Sequence, residues 1–193
     1  MVIPAFSRQP GHLRRQSFTL VEILIVMVII AILAALTLGG ADYARKKAGR
    51  SRAQGEIEAL SSALERYKID NGVYPETTAI PTDGSGYTGV ADPDEIYKDN
   101  GYTLFQALGG GKENFNDTTA PTTPVYFEFR ANMVSKNTSG RSYVSDPFGH
   151  PYGFTSDSNA FFNTGFVDLW STSGQNGQGS QTNVLQWTTN WKQ

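Results

Sequence analysis

The stretch Phe18-Thr19-Leu20-Val21-Glu22-Ile23-Leu24-Ile25-Val26-Met27-Val28-Ile29-Ile30-Ala31-Ile32-Leu33-Ala34-Ala35-Leu36-Thr37-Leu38 decides how the rest of this chain is read, because only Thr19, Glu22 and Thr37 in it are not apolar. As a helix rising 1.5 Å per residue it spans about 32 Å, close to the roughly 30 Å hydrocarbon core of a bilayer. The spacing predicts a helix that crosses a membrane. A cleavable secretory signal is the competing reading, since it also begins basic and turns apolar, but its apolar stretch is typically about 7–15 residues and ends at a small-residue site. Ala34-Ala35 and Gly39-Gly40-Ala41 keep that alternative open. Residues 1–17 carry Arg8, Arg14 and Arg15, no acid, and Pro4, Pro10 and Gly11, the pattern of a processed or targeting leader.

The remainder is a different material. The 193 residues suit one domain with an appendage. The hydrophobic content of 39% averages over unequal regions, and without the apolar run it falls to about a third. A net charge of −2 excludes a strongly basic nucleic-acid binder, and beyond Val73 acids outnumber bases 12 to 6. Zero cysteines exclude a disulfide framework, a thiolate zinc site and a cysteine nucleophile.

Charge does not by itself orient the helix, because three arginines precede the run while Arg45, Lys46, Lys47, Arg50 and Arg52 follow it. Glu22 is more informative. A carboxylate inside an apolar run costs a few kcal/mol if unpaired at depth, so it either reaches water near the helix end or has a partner. After Leu38 the helical pattern continues, with no proline from Tyr43 to Asp70. Ile57, Leu60, Leu64 and Tyr67 form one apolar stripe, and Arg52/Glu56 and Glu65/Lys68 stand at ion-pair spacing. Asn71-Gly72 and then Pro75 supply the stop, so one helix is expected over roughly Phe18 to Asn71, with its second half packed on a globular head.

In the head, Thr77 to Asp94 reads as a surface loop with turns, and Tyr102 to Leu108 as a short helix closed by Gly109-Gly110-Gly111. Val125 to Arg130, Pro151 to Phe154 and Gly165 to Trp170 have strand character, with Asp146-Pro147-Phe148-Gly149-His150-Pro151 as a turn. Three short strands predict an antiparallel sheet covering the stripe, hence an α+β fold. His150, alone in the head and without cysteines, has no sequence partner for a metal or a triad and reads as structural.

The string Arg14-Arg15-Gln16-Ser17-Phe18-Thr19-Leu20-Val21-Glu22-Ile23 resembles the class III signal of the type IV pilin-like superfamily. That resemblance implies cleavage by a prepilin peptidase between Ser17 and Phe18, N-methylation of Phe18, and filament assembly in which Glu22 offers its charge to a neighbouring subunit's terminal amine. Ser17 departs from the glycine usual before the cut. Tyr67 to Pro75, Asp146 to Tyr152, Asp168-Leu169-Trp170-Ser171 and Asn190-Trp191 resemble landmarks of the type II secretion major pseudopilin. Type IV pilus subunits often carry a C-terminal disulfide, which this chain cannot form.

The expected organisation is then a leader over 1–17, a transmembrane segment over 18–38, an amphipathic stem helix over 39–72 and a pilin-like head over 73–193 with a variable loop at 76–124. Major pseudopilins commonly bind calcium in the C-terminal loop, and the corresponding positions are Leu169, Ser171, Asn176 and Asn183. Asn stands where the carboxylates would be, and calcium affinity falls with ligand charge. Trp187 and Trp191 are expected to anchor the chain end against the sheet.

The resemblance implies a non-enzymatic structural subunit of a periplasmic pseudopilus, held in the inner membrane by a single pass. Its partners would be the prepilin peptidase, copies of itself, minor pseudopilins, and the secretion platform with its ATPase. A type IV pilus or competence pilin is the near alternative. A membrane-tethered carbohydrate-binding module is the distant one, with Trp170, Trp187 and Trp191 as candidate sugar platforms. The enzyme signatures G-x-S-x-G and H-E-x-x-H do not occur in the sequence.

Overall fold

The computed structural model describes residues 19–77, 93–156, 162–163, 165–174 and 187–191, without the side chains of 37–40 and 93–96. Helix α1 runs Leu20–Asn71 and α2 runs Pro93–Leu108. Strands β1 (Val134–Lys136) and β2 (Ser142–Val144) form a two-stranded antiparallel hairpin. Strands β3 (Gly153–Thr155), β4 (Asp168–Ser171) and β5 (Thr188–Thr189) form an antiparallel sheet in the order β3-β4-β5. The fold is α+β, a long N-terminal helix with small antiparallel sheets, as the sequence led us to expect. By compactness the chain divides into two units, Met1–Tyr43 and Ala44–Gln193.

In the first unit the apolar run is exposed all round. Large side chains from Leu20 to Leu36 are 48–80% accessible. A helix hydrophobic on every face has no stripe to bury and needs an apolar surrounding.

In the second unit the pattern changes to one face. Ala53, Ile57, Leu60, Ala63 and Leu64 are fully buried, and Tyr67 packs at the edge of the same core. Leu104, Phe105 and Leu108 of α2, Tyr126, Val144 of β2, Tyr152 and Phe154 around β3, Val167 just before β4 and Leu169 within it complete it. The expected stop is present, with Gly72 at φ 80° and its N–H donating to the Lys68 carbonyl at 2.7 Å. Arg52 pairs with Glu56 at 2.6 Å. Glu65 and Lys68 meet through a third residue, since the Tyr74 hydroxyl donates to Glu65 at 2.7 Å while Lys68 Nζ donates to that hydroxyl at 3.3 Å. Burial and the Glu65 carboxylate push the Tyr74 phenol upward.

Two expectations need correction. Val125 to Arg130 is no strand beyond an isolated bridge from Val125 to Gly109. The N–H groups of Tyr126 and Phe127 both donate to the Leu108 carbonyl, at 2.9 and 3.0 Å. The segment therefore satisfies a carbonyl that the last turn of α2 leaves open, and those donors are spent before a ladder could use them. Helix α2 also begins at Pro93 rather than near Tyr102, with proline at its first residue, where its missing N–H costs nothing.

Two close approaches fix how the second unit packs. A Cβ at Gly153 would fall 2.0 Å from Trp170 Cε2, so the indole of β4 lies flat on a strand residue that has no side chain. A Cβ at Gly49 would fall 2.7 Å from Phe148 Cζ, and one at Gly174 would fall 3.0 Å from the same ring. The turn thus docks on α1 through a ring seated between two glycines. Tyr152 adds a polar tie, donating to Glu56 at 2.7 Å, while Arg52 reaches the Asn132 carbonyl at 2.9 Å.

Candidate functional site

Glu22 follows Thr19 by three residues, and this is a capping box. The Thr19 N–H and hydroxyl both donate to Glu22 Oε2 at 2.9 Å, and the Glu22 N–H reaches back to the Thr19 hydroxyl at 3.3 Å. The sequence signal was the four-residue string Thr-Leu-Val-Glu at the head of an apolar run, and the reading of Glu22 as a charge overlooked its capping role. Ser17 and Phe18, the expected cleavage and methylation positions, lie outside the described residues. What the described residues assemble is a helix start closed by a carboxylate, followed by an apolar surface that nothing in its own unit covers. Among the described residues one helix, α1, is long and apolar enough to cross a membrane, with a mean hydropathy of 3.0 in its best window.

The C-terminal candidates are placed differently. Leu169 is buried, its carbonyl accepts the Asn190 N–H at 3.0 Å, and its own N–H donates to Asn190 Oδ1 at 2.9 Å. The Ser171 hydroxyl donates to Asp146 Oδ2 at 2.5 Å and accepts the Ser173 N–H at 3.0 Å. Asn176 and Asn183 lie outside the described residues. Calcium wants six to eight oxygens with several charges. The two described donors are tied into strand and turn hydrogen bonds, and the described residues contain no cluster of three or more His, Cys, Asp or Glu able to hold a metal. The described half of the implied set, a carbonyl and a hydroxyl, thus offers no charge to a calcium ion.

The buried carboxylates nearby act as braces. Asp168 accepts the N–H groups of Phe162 and Asn163 at 3.1 and 3.0 Å. Asp146 accepts those of Phe148 and His150, each at 2.9 Å, which ties the turn to β4 through Ser171. Burial pushes the Asp146 carboxyl upward, outweighing the hydrogen bonds from Ser171, His150 and Phe148 that pull it down.

The sugar-platform alternative is overturned by packing. Trp170 is fully buried, and Trp187 and Trp191 are 7% and 8% exposed. Trp187 stacks on Trp170 at 6.0 Å, Trp191 meets Trp170 edge-on at 5.8 Å, and Phe162 stacks on Trp191 at 4.5 Å. These faces are spent on one another and on Tyr97 in a core of their own. They anchor the chain end, as their positions suggested.

This arrangement defines a class before it points to relatives: an apolar helix capped by a carboxylate at its fourth described residue, leading into a packed stem. A family model described as "Prokaryotic N-terminal methylation motif" matches residues 13–38. Among curated proteins, the chain is 44% identical over 69 residues to type II secretion system core protein G of Pectobacterium carotovorum subsp. carotovorum, covering 36% of this chain and 44% of that one. It is 42% identical over 91 residues to core protein G of Aeromonas hydrophila, covering 46% of this chain and 63% of that one. The protein of the same name from Pseudomonas aeruginosa is 46% identical over 65 residues, 33% of this chain and 46% of that one. The chain thus spans about half the length of the curated relatives it matches. No solved structure matches it. The pilin-like resemblance drawn from the residues is met by these findings, on the side of type II secretion.

Proposed function

We propose that this protein is a non-enzymatic structural subunit of the pseudopilus of a type II secretion-like system. The observation that carries the reading is Glu22, the one charged group in an apolar surface that is exposed on every side and lies inside a methylation motif. In this reading a prepilin peptidase cuts between Ser17 and Phe18 and the new Phe18 terminus is methylated. The helix anchors the subunit in the inner membrane with its head in the periplasm. Successive copies, together with minor pseudopilins, then pack their apolar runs side by side, driven by the secretion platform and its ATPase. The names of the relatives favour this over a surface pilus.

The physical argument concerns two charges in hydrocarbon. Cleavage before Phe18 leaves a cationic amine beside Thr19, and Glu22 lies one helical turn further on. In a single subunit the Glu22 carboxylate is held by Thr19. In a filament it can also meet a neighbour's amine, and pairing removes a desolvation cost of a few kcal/mol for each partner.

Two measurements test this. Mass spectrometry of the mature protein is expected to find N-methylphenylalanine at position 18, and an intact Met1 or a terminus near residue 40 overturns the proposal. Glu22→Gln and Glu22→Ala separate the two roles of the carboxylate, because Gln preserves a capping box while removing the charge. Both variants are expected to insert and to fail in filament assembly. Normal assembly of Glu22→Gln would mean that capping, and not charge, is what Glu22 supplies.

A further inference from the structure

Arg45, Lys46, Lys47 and Arg50 follow the apolar run within a dozen residues of Leu38, and all four are exposed. Asp42 is the only acid between Glu22 and Glu56. Among the described residues the ion pair on this part of α1 belongs to Arg52 and Glu56, and Glu56 also holds the Tyr152 hydroxyl. Glu58 accepts from Gln54 at 3.1 Å. Among the described residues the four cations thus stand without a carboxylate partner.

Two of them line a groove. Lys47 and Arg50, with Ser51 and Gln54, form one wall, and Trp187 and Trp191 contribute to the other, around an open volume of about 550 Å³. Positions 47, 50 and 54 recur at i, i+3 and i+7, so they share one face of α1. The groove lies wholly within the second unit. It offers two exposed cations, the hydroxyl of exposed Ser51, and the small exposed edges of two indoles. That combination suits a phosphodiester whose glycerol lies against an aromatic edge, since tryptophan favours the membrane interface and guanidinium and ammonium groups favour phosphate.

We propose that this groove binds the headgroup of an anionic phospholipid from the leaflet into which the stem emerges. The source is argued from position: the cations begin seven residues beyond Leu38, the last residue of the apolar run, where juxtamembrane basic clusters meet the surface charge of a bilayer. The groove would hold the stem at the membrane before assembly and release it when the subunit is withdrawn. The proposal rests on the membrane-inserted part of the reading above and not on processing or polymerisation.

The test uses the full chain in dodecyl maltoside micelles, titrated with dioleoyl phosphatidylglycerol or dioleoyl phosphatidylcholine. Tryptophan emission is the readout, because two of the three tryptophans line the groove and the third stacks on Trp187 and meets Trp191 edge-on. Phosphatidylglycerol is expected to give a saturable change that phosphatidylcholine does not. Lys47→Gln/Arg50→Gln is expected to raise the half-saturating lipid fraction about fivefold for each charge removed, roughly 25-fold together. Lys47→Arg/Arg50→Lys is expected to restore binding, and Arg66→Gln/Lys136→Gln, which removes as much charge elsewhere, to leave it unchanged.

Equal responses to the two lipids, or an unchanged response in the glutamine pair, overturn the proposal. So does an identical saturable change with sodium phosphate at matched ionic strength, which marks a free-anion site. Loss of self-association in the glutamine pair, without lipid dependence, overturns it in favour of a contact between copies of this chain. N-terminal mass spectrometry reads the pseudopilus proposal separately, so failure of one is distinguishable from failure of the other.

Discussion

Ile23, Ile25 and Ile29 of α1 are 48, 51 and 50% exposed, whereas Ile57, Leu60 and Leu64 further along the same helix are fully buried. Side chains of one chemical kind meet opposite fates because of what stands between them in the sequence. In the first region nearly every neighbour is also apolar, so no face is set apart, and the helix can be satisfied only by a medium or by like helices. In the second, Arg52, Glu58, Glu65 and Arg66 mark one side as wet and leave the other for the head. Hydrophobic content decides that an apolar surface exists; its periodicity decides whether the protein covers that surface itself.

The sharpest way to break the comparison is to charge the first region. Ile29→Lys/Ile30→Lys places two cations at the centre of the run, each costing about 3 kcal/mol of insertion. The carbonate-resistant membrane fraction is expected to collapse, while Ile69→Lys, at a position 77% exposed on the stem, leaves it unchanged. A cavity in the second region comes next. Leu60→Ala is expected to cost about 2–5 kcal/mol of head stability, read from thermal melting in detergent, and Ile29→Ala to leave that melting point in place.

Gly153→Ala tests the sheet's contribution and is expected to cost about 1–3 kcal/mol, because the added methyl would enter the volume of the Trp170 indole. A shift of tryptophan emission to longer wavelength would accompany it.

The smallest effect is expected from pH. The folded pKa of Asp146 is raised by burial, so its ionised form opposes folding at neutral pH. This opposition is relieved as pH falls through the raised folded value toward the unfolded one, the reverse of the usual acid-labile carboxylate. Relative to Asp146→Asn, the wild-type urea midpoint is expected to improve between pH 7 and pH 4.5. An equal or declining difference would show that the hydrogen bonds from Ser171, Phe148 and His150 outweigh burial.

What could be read from the sequence divides along the same line as the two regions. The stripe at Ile57, Leu60 and Leu64 and the stop at Asn71-Gly72 were legible because helix periodicity and αL geometry are local. The aromatic run from Val125 to Phe129 was misread for the opposite reason: which acceptor its N–H groups find depends on where Leu108 ends a helix some twenty residues earlier. The β1–β2 hairpin was missed because its strands are three residues long, Val-Ser-Lys and Ser-Tyr-Val, too short for alternation to register. At the candidate site, the charge of Glu22 stood out against its surroundings, while its bonds with Thr19 use a motif ordinary enough to pass unremarked. The tryptophans were placed correctly as anchors, and only packing could show that anchoring leaves no face for a ligand such as a sugar.

Phe148 between Gly49 and Gly174 has a mechanical consequence. A smooth helix held only by a greasy stripe can turn about its axis by trading one aliphatic contact for another. A ring lodged over a bare helical position cannot follow such a turn without striking the Cβ of the next residue round. The stem is therefore keyed in azimuth as well as glued, and torque applied to it is passed to the turn and β4 rather than lost as slip.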